Sequence, residues 1–231
     1  MNLEEIRERY LKHYAEVQYK GNGGRATNYY HRLMEVDSKD KTFHDVLEVG
    51  AGSGEHLNFV KHDFINYYLT DNVLPPTSPE LGALILDYKN QNKIVHIEAQ
   101  DVQNLAFSSA TFDRVIATCL LHHVPHPAKA LEELRRVTKN SGSITIYLPA
   151  DPGLLYRFSQ FFVSTLSLRK SFSMAEIRYL RASEHRNHVS SIAGLIHGIF
   201  ANDLIKKRAF PRFNMGWNTS LFEIYTIEVR K

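Results

Sequence analysis

Only one cysteine, Cys119, occurs among the 231 residues. No intrachain disulfide can staple the chain, which fits a reducing compartment, and a cytoplasmic location is expected. Long apolar runs are missing too: no stretch of about 18 uninterrupted apolar residues exists, so no membrane-spanning helix is expected. Charge of one sign is not in excess. Lys and Arg total 28 against 25 Asp and Glu, a formal +3, too little to point to nucleic acid as a partner. The opening Met1-Asn2-Leu3-Glu4-Glu5 is polar and acidic, unlike a signal peptide. Repeats and low-complexity tracts are absent. What is present has ordinary globular proportions, 43% hydrophobic and 23% charged, with length for one α/β domain carrying an elaboration. Twelve histidines predict a charge that climbs below about pH 6.5.

The stretch around which the chain is organised is Val46-Leu47-Glu48-Val49-Gly50-Ala51-Gly52-Ser53-Gly54-Glu55. Its apolar start suits a strand buried on both faces. Alternate glycines allow a sharp turn with no side chain between backbone and ligand. A helix expected over 54–61 would aim its free N–H groups at the same space. A dinucleotide-binding loop needs its third glycine one place later, where Glu55 stands. The pattern E-x-G-x-G-x-G at a strand end instead resembles motif I of the class I S-adenosylmethionine (SAM)-dependent methyltransferases. That resemblance implies SAM as cofactor, with Glu48, Gly50, Ala51, Gly52 and Gly54 as binding positions.

Later segments carry the pattern on. Residues 65–71 read as a second strand ending in Asp71, 21 residues after Gly50. A carboxylate there accepts hydrogen bonds from both ribose hydroxyls, because an ionised acid offers only acceptors; Asn72 is expected to add a polar contact. Residues 93–98 read as a third strand, followed by Asp101 and Val102. By resemblance, Asp101 meets the adenine amino group and Val102 lies against the ring. Residues 112–118 read as a fourth strand, placing Thr118 on the same edge. The run F-D-x-V-x(5)-L-H-H-V from Phe112 to Val124, with the helix expected over 127–137, resembles the ubiquinone/menaquinone-methyltransferase-like branch. In place of that branch's L-K-P-G-G comes Thr138-Lys139-Asn140-Ser141-Gly142, expected to close the helix before a strand at 144–148.

The expected architecture is α/β: a doubly wound, mixed seven-stranded sheet forming one domain over 1–231. Residues 1–40 are expected to form a helical lid, with helices over 3–19 and 26–36 broken at Gly21–Gly24. Residues 44–149 are expected to form the SAM-binding core, 151–188 a helical insertion or cap, and 189–231 a last helix with two strands, the final one antiparallel as the methyltransferase resemblance implies. The apolar run 154–168 is too short to span a bilayer. It reads as a cap over the site, an interfacial helix giving peripheral membrane contact through 154–170, or a dimer contact.

The leaving group of SAM is good, so catalysis rests on alignment, with a base needed if the acceptor is a hydroxyl or a protonated amine. His123 and His126 are the candidate catalytic residues; His185, Arg186 and His188 are candidate substrate contacts. His122 and His126 stand four apart, but Pro125 and Pro127 favour a loop, so no metal is expected. The expected activity is methyl transfer to a small-molecule, glycan or lipid-linked acceptor. The alternatives are a non-catalytic SAM-binding or interaction module and a nicotinamide-dependent oxidoreductase.

Overall fold

The computed structural model describes residues 5–6, 9–10, 21–165, 168–169, 171–211 and 216–231. Most of the helix expected over 3–19, with Tyr14, Val17 and Tyr19, lies outside them, as do Leu166 of the apolar run and Lys170 just beyond it.

Seven strands form one sheet: β1 Thr42–Val49, β2 Asp63–Asp71, β3 Ile94–Ala99, β4 Phe112–Ala117, β5 Thr138–Pro149, β6 Leu204–Phe210 and β7 Phe222–Glu228. The order is β3-β2-β1-β4-β5-β7-β6. The first five strands are parallel, while β7 runs antiparallel between β5 and β6. This is the expected doubly wound mixed sheet.

Alternation along the central strands divides the core between two faces. Leu47, Val115, Ile144 and Ile146 pack on one side with helices α3 (Pro127–Val137) and α6 (Val189–Ile199). Val46, Tyr67 and Ile116 pack on the other with Met34, Leu57 and Leu81, drawn in part from α1 (Gly21–Met34) and α2 (Pro79–Asn90). Removing all these side chains from water is the main stabilising term.

Three expectations need correction. The helix expected over 26–36 already begins at Gly21 and ends at Met34, so the glycine run forms its first turn; the residues just before it lie outside the described ones. The segment after the glycine loop is no α-helix but a five-residue 3₁₀ turn, Glu55–Phe59, flanked by Gly54 at φ 76° and extended Val60. With β2 starting at Asp63, too few residues remain for more turns, and the argument from an α-helix N-terminus lapses. Strand β5 starts directly after α3, at Thr138. Its register against β4 jumps from Phe112↔Thr138 to Arg114↔Ser143. The extra residues bulge, with Ser141 at φ 62° and its N–H donated to Val229 O at 2.8 Å. Thus Asn140–Gly142 belong to the strand and not to a helix cap.

The insertion holds α4 (Leu154–Gln160), a π turn (Phe161–Thr165) and α5 (Met174–Glu184). A capping box of Ser173 and Glu176 opens α5. From the chain's N-terminal segment, Ile6 packs with Leu168, Phe172, Ile177 and Leu180, and Arg9 donates to Ser171 O at 3.1 Å.

Behind the glycine loop lies a buried ionic knot. Arg114 on β4 donates to both Glu35 oxygens at 2.6 and 3.0 Å. His56 Nε2 lies 3.0 Å from Glu35 Oε1, and His31 Nδ1 lies 2.9 Å from His56 Nδ1. Burial by itself would raise the Glu35 pKa, but the bonds from His56 and Arg114 override it and hold the carboxyl well below its usual range.

Candidate functional site

The parallel strands end together. Val49 pairs with Thr70 and with Ala117, and Asp71 with Ala99. Four predicted segments therefore meet at one carboxyl edge, where ligands bind in sheets of this topology.

Gly50, Gly52 and Gly54 all have positive φ, at 65°, 55° and 76°. A Cβ on Gly50 would meet Leu120 at 2.8 Å, whereas one on Gly52 would meet only Glu55 Oε2 at 3.8 Å. The loop is packed from behind and open in front. Ala51 is buried and donates its N–H to Thr70 O at 3.0 Å. Asp71 Oδ2 accepts the Gly52 N–H at 3.0 Å, and its Oδ1 accepts the Asn72 N–H at 2.7 Å. Each carboxylate oxygen has a second lone pair, so two acceptor positions remain for a diol. That open glycine beside an acceptor-only group fits the adenosyl moiety of SAM.

Asp101 is exposed and organises its own turn: Oδ1 accepts the Gln103 N–H at 2.9 Å. Val102 behind it is buried. Gln103 Oε1 also accepts the His126 N–H at 3.0 Å, so exposed His126 is fixed beside the Asp101 turn. Thr118 is buried at the end of β4. Glu48 stands apart from an open cleft. It is sealed from solvent and accepts the Tyr67 hydroxyl at 2.7 Å. Burial raises its pKa, and its Oε1 has no hydrogen-bond partner among the described residues.

Around the other end of the edge, His122, His123 and His185 converge. Ring centroids are 3.9 Å apart for His122 and His123, 4.7 Å for His122 and His185, and 5.4 Å for His123 and His185. His123 Nδ1 bonds the Glu184 carbonyl at 2.7 Å, and His185 Nδ1 bonds Asp151 Oδ2 at 2.8 Å. Burial lowers the pKa of His122 and of His123, helped by neighbouring imidazoles. Burial pushes the nearby Cys119 thiol up to about 12, which keeps it protonated and a poor nucleophile. Arg186 and His188 are exposed and do not join the cluster.

Sequence reasoning missed what joins the insertion to the strand-4 turn. Asn187 donates from Nδ2 to Leu121 O and Val124 O at 3.1 and 2.7 Å, and the N–H groups of Arg186 and Asn187 both reach His122 O. Asp151 was legible only as part of an Asp-Pro-Gly turn, yet it orients His185. A separate cleft lined by Thr42, His44, Asp113, Lys139 and Gly142 opens at the opposite end of β1 and β4, away from these residues.

Residues 47–146 match the family model described as a methyltransferase domain. A phosphatidylethanolamine N-methyltransferase of Cereibacter sphaeroides is 27% identical over 103 residues, covering 44% of this chain and 48% of that protein. The chain spans less than half the length of the curated relatives it matches. Among solved structures, the [4+2]-cyclase SpnF superposes with a TM-score of 0.61 at 12% identity, over 91% of this chain and 83% of that one. The N-methyltransferase NodS from Bradyrhizobium japonicum WM9, in complex with S-adenosylhomocysteine, has a TM-score of 0.60 at 10% identity and full coverage of both chains. Identities this low speak for the fold alone.

Proposed function

We propose that the chain, whose residues 47–146 match a methyltransferase domain, is a class I, SAM-dependent methyltransferase that transfers the methyl group of SAM to an amphipathic acceptor. SAM supplies an electrophilic methyl on a sulfonium that departs as a neutral thioether. The chain's part is to hold and align. Asp71 takes the ribose hydroxyls, the Gly50–Gly54 backbone passes close to the cofactor, Asp101 accepts from the adenine amino group and Val102 supports the ring. Asn72 and Thr118 complete the wall. The imidazoles of His123 and His185 face the acceptor.

One observation carries the choice of acceptor. Leu154, Phe158, Phe161 and Phe162 are 76%, 63%, 47% and 53% exposed, an apolar surface of the kind that marks binding sites. It begins three residues beyond Asp151, the partner of His185. An acceptor with its reacting group at the histidines can rest an apolar portion there. A lipid-linked small molecule or glycan satisfies this, and the same face would then touch the lipid surface in peripheral contact. The likeness to a phosphatidylethanolamine N-methyltransferase supports an acceptor of that kind.

The test is transfer of radiolabelled methyl from SAM into cell extract split into lipid and aqueous fractions. Label in the lipid or amphipathic fraction is the expected result. Label confined to small polar compounds would overturn the acceptor class. Firm S-adenosylhomocysteine binding without transfer to either fraction would favour a SAM-binding module.

A further inference from the structure

The three imidazoles at the carboxyl edge share a feature that methyl transfer alone does not require. One ring nitrogen from each of His122, His123 and His185 lies within 4.8 Å of the other two, yet no hydrogen bond among the described residues joins these rings. Their other contacts fix which nitrogens carry protons. The Glu184 carbonyl can only accept, so His123 Nδ1 holds the hydrogen of that 2.7 Å bond. The Asp151 carboxylate likewise only accepts, so His185 Nδ1 donates across 2.8 Å. In the neutral rings both Nε2 atoms therefore keep free lone pairs. His122 is 3% exposed, and among the described residues its Nδ1 has no partner and its Nε2 meets the Cys119 sulfur alone, at 4.0 Å. Burying an unpartnered nitrogen is costly, and three lone-pair donors brought together call for something between them.

We propose that His122, His123 and His185 bind one divalent transition-metal ion of the zinc class, leaving a fourth position for an oxygen ligand. Imidazole donors select such ions over magnesium or calcium. The outer contacts match those that orient metal-ligating histidines, a carboxylate behind one ring and a backbone carbonyl behind another. Tetrahedral zinc, with bonds of ~2.0–2.1 Å, holds its ligand nitrogens about 3.3 Å apart. The rings thus need to close by about 1.5 Å at most. Cys119 is not part of the triangle. Ion binding does not depend on the methyltransferase reading. Its use does: an ion here would hold an acceptor hydroxyl and lower its pKa, a task otherwise left to an imidazole.

The experiment is calorimetric titration of the full chain, stripped with chelator, with Zn²⁺, and a parallel Co²⁺ titration followed by visible absorption. One ion per chain at micromolar affinity or better, with Co²⁺ bands of a low-coordinate nitrogen site, is expected. His185→Ala should weaken Zn²⁺ binding at least 100-fold. Asp151→Asn keeps all three ligands and should weaken it about 10–100-fold. His197→Ala, on α6 with its Nδ1 on Ala193 O, should change nothing and controls for surface histidines. No stoichiometric Zn²⁺ binding, or binding that survives both His185→Ala and Asp151→Asn, overturns the proposal. Circular dichroism checks each variant's fold, and if His185→Ala unfolds, Asp151→Asn decides. S-adenosylhomocysteine titration of the same samples separates a failed metal site from a failed cofactor site.

Discussion

Asp71 is bound to Gly52 across the mouth of the sheet: the carboxylate at the end of β2 accepts the loop amide at 3.0 Å. That bond and the one from Asn72 hold both oxygens in place before a cofactor arrives. A preorganised acceptor loses little freedom on binding, so its hydrogen bonds count nearly in full.

Asp71→Ala should therefore weaken S-adenosylhomocysteine binding at least 100-fold. Two hydrogen bonds to an ionised acceptor contribute roughly 1.5–3 kcal/mol each, and about 1.4 kcal/mol is tenfold. Asp71→Asn, which keeps one acceptor oxygen, should fall between that variant and the parent. Calorimetry on the three proteins decides; affinities within threefold of one another would remove Asp71 from the site.

Gly50 and Gly52 should fail differently when given a methyl group. Both have positive φ, where a non-glycine residue costs roughly 1–2 kcal/mol. Gly50→Ala must also displace Leu120 and should cost about 2–4 kcal/mol of stability by urea unfolding. Gly52→Ala meets no such wall and should cost only the conformational part. Its methyl, however, enters the space assigned to the cofactor, so S-adenosylhomocysteine affinity should fall by more than tenfold. Equal stability losses, or undisturbed binding by Gly52→Ala, would contradict the open-fronted loop.

These contrasts show what the sequence makes legible. Strand positions and their shared edge follow from local signals: apolar runs such as 46–49, an acid at a strand end, a glycine turn between. The antiparallel β7 was expected as well, though from the family resemblance. The 3₁₀ turn was not legible, because the residues of 55–59 favour helix and only the nearness of β2 cuts it short. The bulge at Asn140–Gly142 was hidden by residues that also close helices. His122, His123 and His185 were each visible, but their meeting depends on Asn187, whose bonds to Leu121 O and Val124 O span more than 60 residues of chain. Such long-range pairings leave no local periodicity to read.

The Glu35–Arg114 pair supplies a third prediction. Both side chains are almost wholly buried, at 1% and 0% exposure. Glu35→Gln leaves the guanidinium without its counter-charge and should destabilise the fold by about 3–5 kcal/mol. Replacing both with leucine removes the desolvation cost together with the attraction, so the double variant should be more stable than Glu35→Gln. Urea midpoints of the two proteins test this; a double variant less stable than the single would show that the pair is net stabilising beyond its mutual dependence.

Acid should weaken the fold from near neutrality downward, before most carboxylates titrate. Burial, with the charge of His56 beside it, lowers His31 to about 2, and burial with Arg114 nearby lowers His62 to about 4. His122 and His123 are lowered too. The unfolded chain protonates these rings near pH 6.5, whereas the folded chain keeps them neutral. Below that pH the unfolded state binds more protons, so stability contributed by each ring is present above about 6.5 and lost as pH falls toward its folded pKa. Each such ring contributes a slope of up to ~1.4 kcal/mol per pH unit. Glu35, held low by His56 and Arg114, adds a further loss that begins only below about pH 4.5. Urea unfolding between pH 7.5 and 5 should therefore show a steadily falling midpoint, with the His62→Phe variant falling less steeply. A midpoint that stays flat to pH 5 would mean that the buried imidazoles can take up protons in the folded state.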